Sequence, residues 1–179
     1  MTPAQYLDFE RAAETNHEYV HGEVVELVRP ALPHAVVVGN LSFQFGRHSL
    51  GPVFTNNLRV SVQRGKLMTY PDLVLVEGDP HWLDDDRDTL TNPGFIVEVL
   101  SPPARDYARA TSRGRLYRSS ISEYLVIDSK PVFVEHWRKL SNGNWELATI
   151  VDRDATLHLE SLNCEIPVPE IYDEVERYA

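Results

Sequence analysis

Tyr70-Pro71-Asp72-Leu73-Val74-Leu75-Val76 is the stretch on which the fold turns. From Leu73 onward it is apolar without interruption. A short run of this kind offers water no polar side, so it reads as a strand buried on both faces. Phe95-Ile96-Val97-Glu98-Val99-Leu100 reads the same way. Each strand holds one carboxylate in an awkward place. Asp72 opens the first, and Glu98 sits inside the second between two valines. An acid in an apolar strand is costly unless it is paired or binds a metal. If the two strands are neighbours, Asp72 and Glu98 converge on one cation. Hard cations such as Mg²⁺ are held by one or two carboxylates plus waters and phosphate oxygens. A metal held so can activate water and stabilise a transferring phosphoryl group. A plain structural reading stays open: Glu98 pairs with an arginine of residues 105–118, and Asp72 caps the turn after Pro71.

The flanking segments supply helices and further strands. Thr2-Pro3-Ala4-Gln5 is a helix start, with Thr2 as cap, Pro3 at the first position and Gln5 as capping-box partner. Glu18-Tyr19-Val20, His21-Gly22 and residues 23–28 read as a β-hairpin whose Gly22 supplies positive φ. Residues 34–50 read as a helix with Val37, Leu41 and Phe45 on its apolar stripe. Residues 58–62 alternate as a half-buried strand, and Arg64-Gly65 is a turn. Residues 78–94 read as a loop, and Ser101-Pro102-Pro103 closes the second buried strand. Residues 105–118 form an arginine-rich helix, 123–128 and 132–138 are strands, and residues 145–151 return after a turn at Ser141-Asn142-Gly143-Asn144. A terminal helix is expected over 168–178. The fold class is one α+β domain over 1–179, a mixed sheet flanked by helices.

Length and charge bound the function. The chain has 179 residues, a net charge of −10 and one cysteine, Cys164. One thiol excludes a disulfide framework and a Cys-rich zinc site, and it fits a reducing, cytoplasmic setting. The N-terminus has neither a basic start nor an apolar core, so no signal peptide is expected. No apolar run approaches the ~20 residues of a membrane helix. The excess acid weighs against a nucleic-acid partner, but it is unevenly spread. Residues 1–28 set Asp8, Glu10, Glu14, Glu18, Glu23 and Glu26 against Arg11 alone, and Asp84, Asp85, Asp86 and Asp88 crowd one loop. Arg105, Arg109 and Arg113 recur at helical spacing, with Arg115 and Arg118 beside them. That positive face suits a phosphate, or equally a solvated surface pairing with acidic termini.

With these motifs in order, the sequence resembles the PD-(D/E)xK nuclease superfamily, and more closely the Uma-two family of restriction-endonuclease-like proteins. The resemblance rests on His17-Glu18-Tyr19 through Gly22-Glu23, His34 with Gly39-Asn40-Leu41, Leu58-Arg59-Val60, Tyr70-Pro71-Asp72, Glu98 through Pro102, Arg105-Asp106-Tyr107, Tyr117-Arg118, Glu123 through Asp128, and the tail. It implies a restriction-endonuclease-like fold and a Mg²⁺-dependent (or Mn²⁺-dependent) DNA endonuclease. It implies Asp72 and Glu98 as metal ligands, with the Val99 carbonyl as a further one. It implies Glu23 as an outer acid orienting a metal-bound water, with Glu18 its competitor, and places His34 and Tyr117 around the site. Arg105, Arg109, Arg113 and Arg115 become candidate contacts to DNA. A homodimer is expected of an enzyme that cuts two strands, though no interface is legible.

The chain departs from the pattern at its lysine. The superfamily position two residues after Glu98 is Leu100. Relatives supply a lysine four residues before the tyrosine of the next helix, which here is Arg113. Asn57 replaces the family Asp before Leu58. Arginine stabilises phosphate charge but cannot act as a base near neutral pH, because its pKa stays above ~12. A second reading therefore stands beside the nuclease: the same fold without the chemistry, acting as a binding or accessory module. A metal-dependent hydrolase of smaller phosphate esters is a third.

Overall fold

The computed structural model describes residues 1–28, 30–48, 51–76, 78–101 and 105–178, and for residues 105–109 the backbone alone. The expected ends at Leu50, Pro102 and Pro103 lie outside the described residues. Helix α1 (Pro3–Ala12) carries the capping box, with Gln5 N donating to Thr2 Oγ1 at 3.3 Å and Thr2 N to Gln5 Oε1 at 2.9 Å. Strands β1 (His17–Val20) and β2 (Glu23–Glu26) form the hairpin, turning at His21 and Gly22, both at positive φ. Helix α2 (Leu32–His48) begins ahead of residue 34, because Pro33 occupies its first turn, where a missing N–H is no loss. Then follow β3 (Val53–Thr55), β4 (Arg59–Val62), β5 (Leu67–Thr69), β6 (Leu73–Leu75), β7 (Thr89–Leu90) and β8 (Phe95–Leu100). Helix α3 (Arg105–Tyr117) leads to β9 (Glu123–Asp128), β10 (Val134–Lys139), β11 (Trp145–Ile150), β12 (Thr156–Leu159), β13 (Cys164–Pro167), α4 (Val168–Ile171) and a 3₁₀ turn (Val175–Tyr178).

The strands make three sheets. The main one runs β11-β10-β9-β8-β6-β3, a second runs β2-β1-β5-β4-β7, and β12 pairs with β13. β6 and β8 are adjacent and antiparallel, with Leu73 opposite Val97. β8 and β9 are parallel, so the chain needs a crossover between them, and α3 is that crossover. One face of the main sheet packs Leu73, Phe95, Val97 and Leu125 against Val37, Leu41 and Phe45 of α2. The other face packs Val74, Ile96, Leu100 and Val126 with Tyr117 of α3 and with Val60, Leu67 and Leu90 of the second sheet. β6 and β8 are thus covered on both sides, as their strongly apolar sequences require.

Several expectations are corrected. Strand β4 is buried throughout rather than half-buried, because Arg59 finds Thr89, Tyr70 and Asp88 as partners. The 78–94 loop contains β7, parallel to β4. Its acidic run is tied down by Arg11, which meets Asp84 at 2.7 Å, Asp86 at 3.0 Å and Asp88 at 2.8 Å. The single terminal helix over 168–178 is two short pieces, broken where Glu174 takes a left-handed φ of 59°. The short strands β3, β5 and β7 and the β12–β13 hairpin carry too few residues to show a period of two.

Helix α3 approaches β9 closely at Gly114. A Cβ there would lie 2.6 Å from Tyr124 Cε1. That ring cannot retreat: its hydroxyl donates to the Ala110 carbonyl at 2.9 Å, and it packs 5.6 Å from Tyr117. Gly114→Ala is therefore expected to destabilise the protein by about 1–3 kcal/mol through overpacking, despite alanine's better helix propensity. Urea-unfolding midpoints of the two proteins check this.

Candidate active site

The register of β6 and β8, continued by one residue, sets Asp72 across from Glu98. Directly opposed residues of an antiparallel pair are close enough for their side chains to interact. Asp72 is held from two sides. Its Oδ2 accepts the Val99 backbone N–H at 2.7 Å, and its Oδ1 lies 3.0 Å from His34 Nε2. His34 is buried at the start of α2, so it is no exposed helix-end histidine. Val99, the residue expected to offer its carbonyl, thus also fixes Asp72 through its amide.

Glu98 is 4% exposed, and both its oxygens are engaged. Oε2 lies 2.8 Å from Arg113 Nη2, and Oε1 accepts the Tyr117 hydroxyl at 2.9 Å. Arg113 and Tyr117 are four residues apart on α3, so one helix face delivers both. The other end of the guanidinium, Nη1, lies 2.9 Å from Glu18 Oε2. That oxygen also accepts the Thr69 hydroxyl at 3.0 Å. Arg113 Nε is buried and without a hydrogen-bond partner. Arg113 therefore bridges an acid of the second sheet to an acid of the main sheet, and its position is internal.

Electrostatics follow from that burial. Burial pushes the Glu98 carboxyl up to about 7, against the pull of Arg113 and with the push of Asp72. Burial opposes the Arg113 charge, but Glu98, Tyr117 and Glu18 outweigh it and hold its pKa well above the usual arginine value. Burial and the nearby Glu98 raise the Tyr117 hydroxyl far above the usual phenol range, so it stays a donor.

Other expected site residues fall elsewhere. Glu23 is exposed on β2, an edge strand, and Glu18 is the hairpin acid that reaches the site. The two glutamates point to the same side of the hairpin, since Glu18 pairs with Val25 and Val20 with Glu23. β1 lies inside the sheet between β2 and β5, which carries Glu18 towards α3 and leaves Glu23 outside. Arg115 is exposed. The side chains of Arg105 and Arg109 lie outside the described residues. Arg118 stacks over Trp137 at 4.8 Å and near Trp145 at 5.9 Å, so it belongs to an aromatic cluster. Thr69 is the site residue that the sequence reading missed. Its one signal is its place on the strand leading into Tyr70-Pro71-Asp72.

A family model described as "Uma2: Putative restriction endonuclease" matches residues 3–169. The chain belongs to the Uma2 family. It is 28% identical over 163 residues to the uncharacterized protein sll1609 of Synechocystis sp., covering 88% of this chain and 91% of that one. It is 29% identical over 179 residues to a second Synechocystis protein, the uncharacterized slr1290, covering 96% and 91%. Among solved structures, it matches one described as a "putative nuclease belonging to DUF820" from Anabaena variabilis. The TM-score is 0.77 at 16% identity, covering 98% of this chain and 99% of that one. That last likeness is one of fold, and it agrees with the restriction-endonuclease-like architecture expected of a Uma2 protein. No helix among the described residues is long and apolar enough to cross a membrane.

The Glu98 environment makes a prediction about stability. Its folded pKa of about 7 lies above the ordinary value of 4.5. A carboxyl raised in the folded state contributes stability that is complete below the unfolded pKa. That contribution is lost as pH rises through the folded pKa. Glu98→Gln removes this loss. The stability of the variant relative to the parent is therefore expected to rise between about pH 4.5 and about pH 7, in urea titrations at both ends of the window.

Proposed function

We propose that this Uma2 protein is a Mg²⁺-dependent DNA endonuclease that hydrolyses phosphodiester bonds at Asp72 and Glu98. The observation that carries the reading is the opposition of those two carboxylates across β6 and β8, with buried Arg113 on Glu98. The donor set suits a hard cation. Glu18 and Glu98 share one guanidinium and Asp72 lies across from Glu98, so acid is in excess, and burial leaves Glu98 raised towards neutrality. Among the described residues, no group of three or more His, Cys, Asp or Glu side chains forms a ready metal cage. Two carboxylates with room for waters and phosphate oxygens is the pattern of Mg²⁺ or Mn²⁺, whereas zinc takes three or four protein ligands. Each carboxylate oxygen keeps a lone pair beyond the hydrogen bond it accepts.

On this reading Asp72 and Glu98 hold the metal, which when bound stabilises charge on the phosphoryl group and lowers the pKa of water. His34 and the Val99 amide orient Asp72. Tyr117 orients Glu98 from one side. Arg113 supplies a permanent positive charge beside Glu98, and Glu18 with Thr69 holds it in place. Arg113 takes no part as a base, because it does not deprotonate at neutral pH.

One observation favours the second reading, a nuclease fold that binds without cutting. Arg113 sets a fixed positive charge against Glu98 and, unlike the lysine that the resemblance implies, cannot lose its proton near neutral pH. Supercoiled-plasmid cleavage with Mg²⁺ or Mn²⁺ separates the two. Nicking or linearisation is expected of the parent protein, at least 100-fold faster than for Asp72→Ala, and chelation should abolish it. DNA binding without cleavage, unchanged by Asp72→Ala, is the outcome of the second reading. Robust cleavage by Asp72→Ala protein would remove Asp72 from the site.

A further inference from the structure

Strand β11 ends the main sheet and is an edge of unusual kind. Sheet edges are commonly blunted by shortness, charge, proline or a bulge. The other edges of the two larger sheets follow that rule. β3 has three residues and β7 has two. β2 has four, with exposed Glu23 and Glu26 at its ends. The strands of the small hairpin have four residues each and carry the exposed His158–Glu165 pair. β11 has six residues, Trp-Glu-Leu-Ala-Thr-Ile, paired with β10 in one unbroken register. Its only charge, Glu146, is tied within the chain to Arg138 at 2.6 Å. Leu147 is 43% exposed and the following Val151 is 68% exposed.

The hydrogen-bond phase shows which backbone groups face outward. Leu140 N donates to Asn144 O at 2.8 Å, so the pair that begins the β10–β11 hairpin is a bonded one. Lys139 N donates to Ser122 O at 2.9 Å, which turns the odd residues of β10 towards β9 and the even ones towards β11. Bonded and non-bonded pairs alternate along an antiparallel ladder. Glu146, Ala148 and Ile150 therefore bond to β10, and Trp145, Leu147 and Thr149 direct their N–H and C=O groups away from the sheet.

We propose that β11 pairs with β11 of a second copy of this chain, in a two-fold symmetric, antiparallel extension of the main sheet. Only registers that oppose odd residues to odd residues let the outward groups meet. Centred on Leu147, the pairing sets Leu147 on Leu147 of the partner subunit and Trp145 on Thr149 of the partner subunit, each exchanging both bonds. Glu146 then faces Ala148 of the partner subunit, so no carboxylate meets another. An isologous contact needs a patch that complements itself, and an almost uncharged strand with leucine at its centre meets that need. This surface is independent of the catalytic reading.

Sedimentation equilibrium of the full chain at tens of micromolar tests the proposal. A mass about twice the 20.4 kDa of one chain is expected. Thr149→Pro deletes an N–H that faces outward and leaves the β10 ladder intact, so a folded monomer is expected by circular dichroism and by mass. Leu147→Lys sets two like charges against each other at the centre and should also yield a monomer. It keeps the test decisive should the proline variant fail to fold. A monomeric parent over that range would overturn the proposal. So would a dimer in either folded variant, which would place the contact on another surface.

Discussion

Glu98 is carried by a strand whose two faces are both covered, and taking a carboxylate out of water costs several kcal/mol unless charge and hydrogen bonds replace the solvent. The structure answers with Arg113 and Tyr117, one helical turn apart on α3. Both donors can reach one acid only if α3 crosses back over the sheet after β8. The parallel pairing of β8 with β9 makes that crossover obligatory, and Gly114 lets it lie close. Arg113 then carries its own requirement, since a buried guanidinium bound at one end wants a second anion. Glu18 meets it from the second sheet. A single buried acid thus links the main sheet, the crossover helix and the hairpin sheet. Breaking such a pair on one side leaves an uncompensated charge, which is worse than never having built the pair.

Much of this was legible in the residues, for physical reasons. Two strongly apolar runs specify doubly buried strands, and an acid at the start of one and inside the other marks where those strands need help. The spacing of Arg113 and Tyr117 shows that they share a helix face. The choice between Glu18 and Glu23 could not be made from the hairpin, because a two-residue turn sends both to the same side. The choice depends on which hairpin strand gains an inner position, and β5 decides it by pairing with β1 through Tyr19–Met68 and Val20–Leu67. β5 has three residues, too short to show a pattern. Helical spacing also put Arg113 on a solvent-facing arginine stripe, whereas the need of Glu98 turns it inward.

The distribution of charge changes meaning in the same way. Arg11 binds three aspartates of the acidic loop, and its hydrogen bond to Asp88 is the main reason that carboxyl stays well below its ordinary range, with Arg59 adding to the effect. Those carboxylates are held in internal ion pairs, although the net −10 already counts Arg11 and Arg59. The positive side shrinks too. Arg113 lies between two glutamates and Arg118 lies over two indole rings, whereas Arg115 is exposed. Arg59 and Arg113, held in internal ion pairs, add little to the counterion release that drives ordinary DNA binding. On the proposed reading, the phosphodiester is held at the site itself, by the metal charge and the fixed positive charge of Arg113. Substrate binding then depends on the metal much more than on an arginine-lined surface, because local charge in a site can oppose the field of the whole molecule.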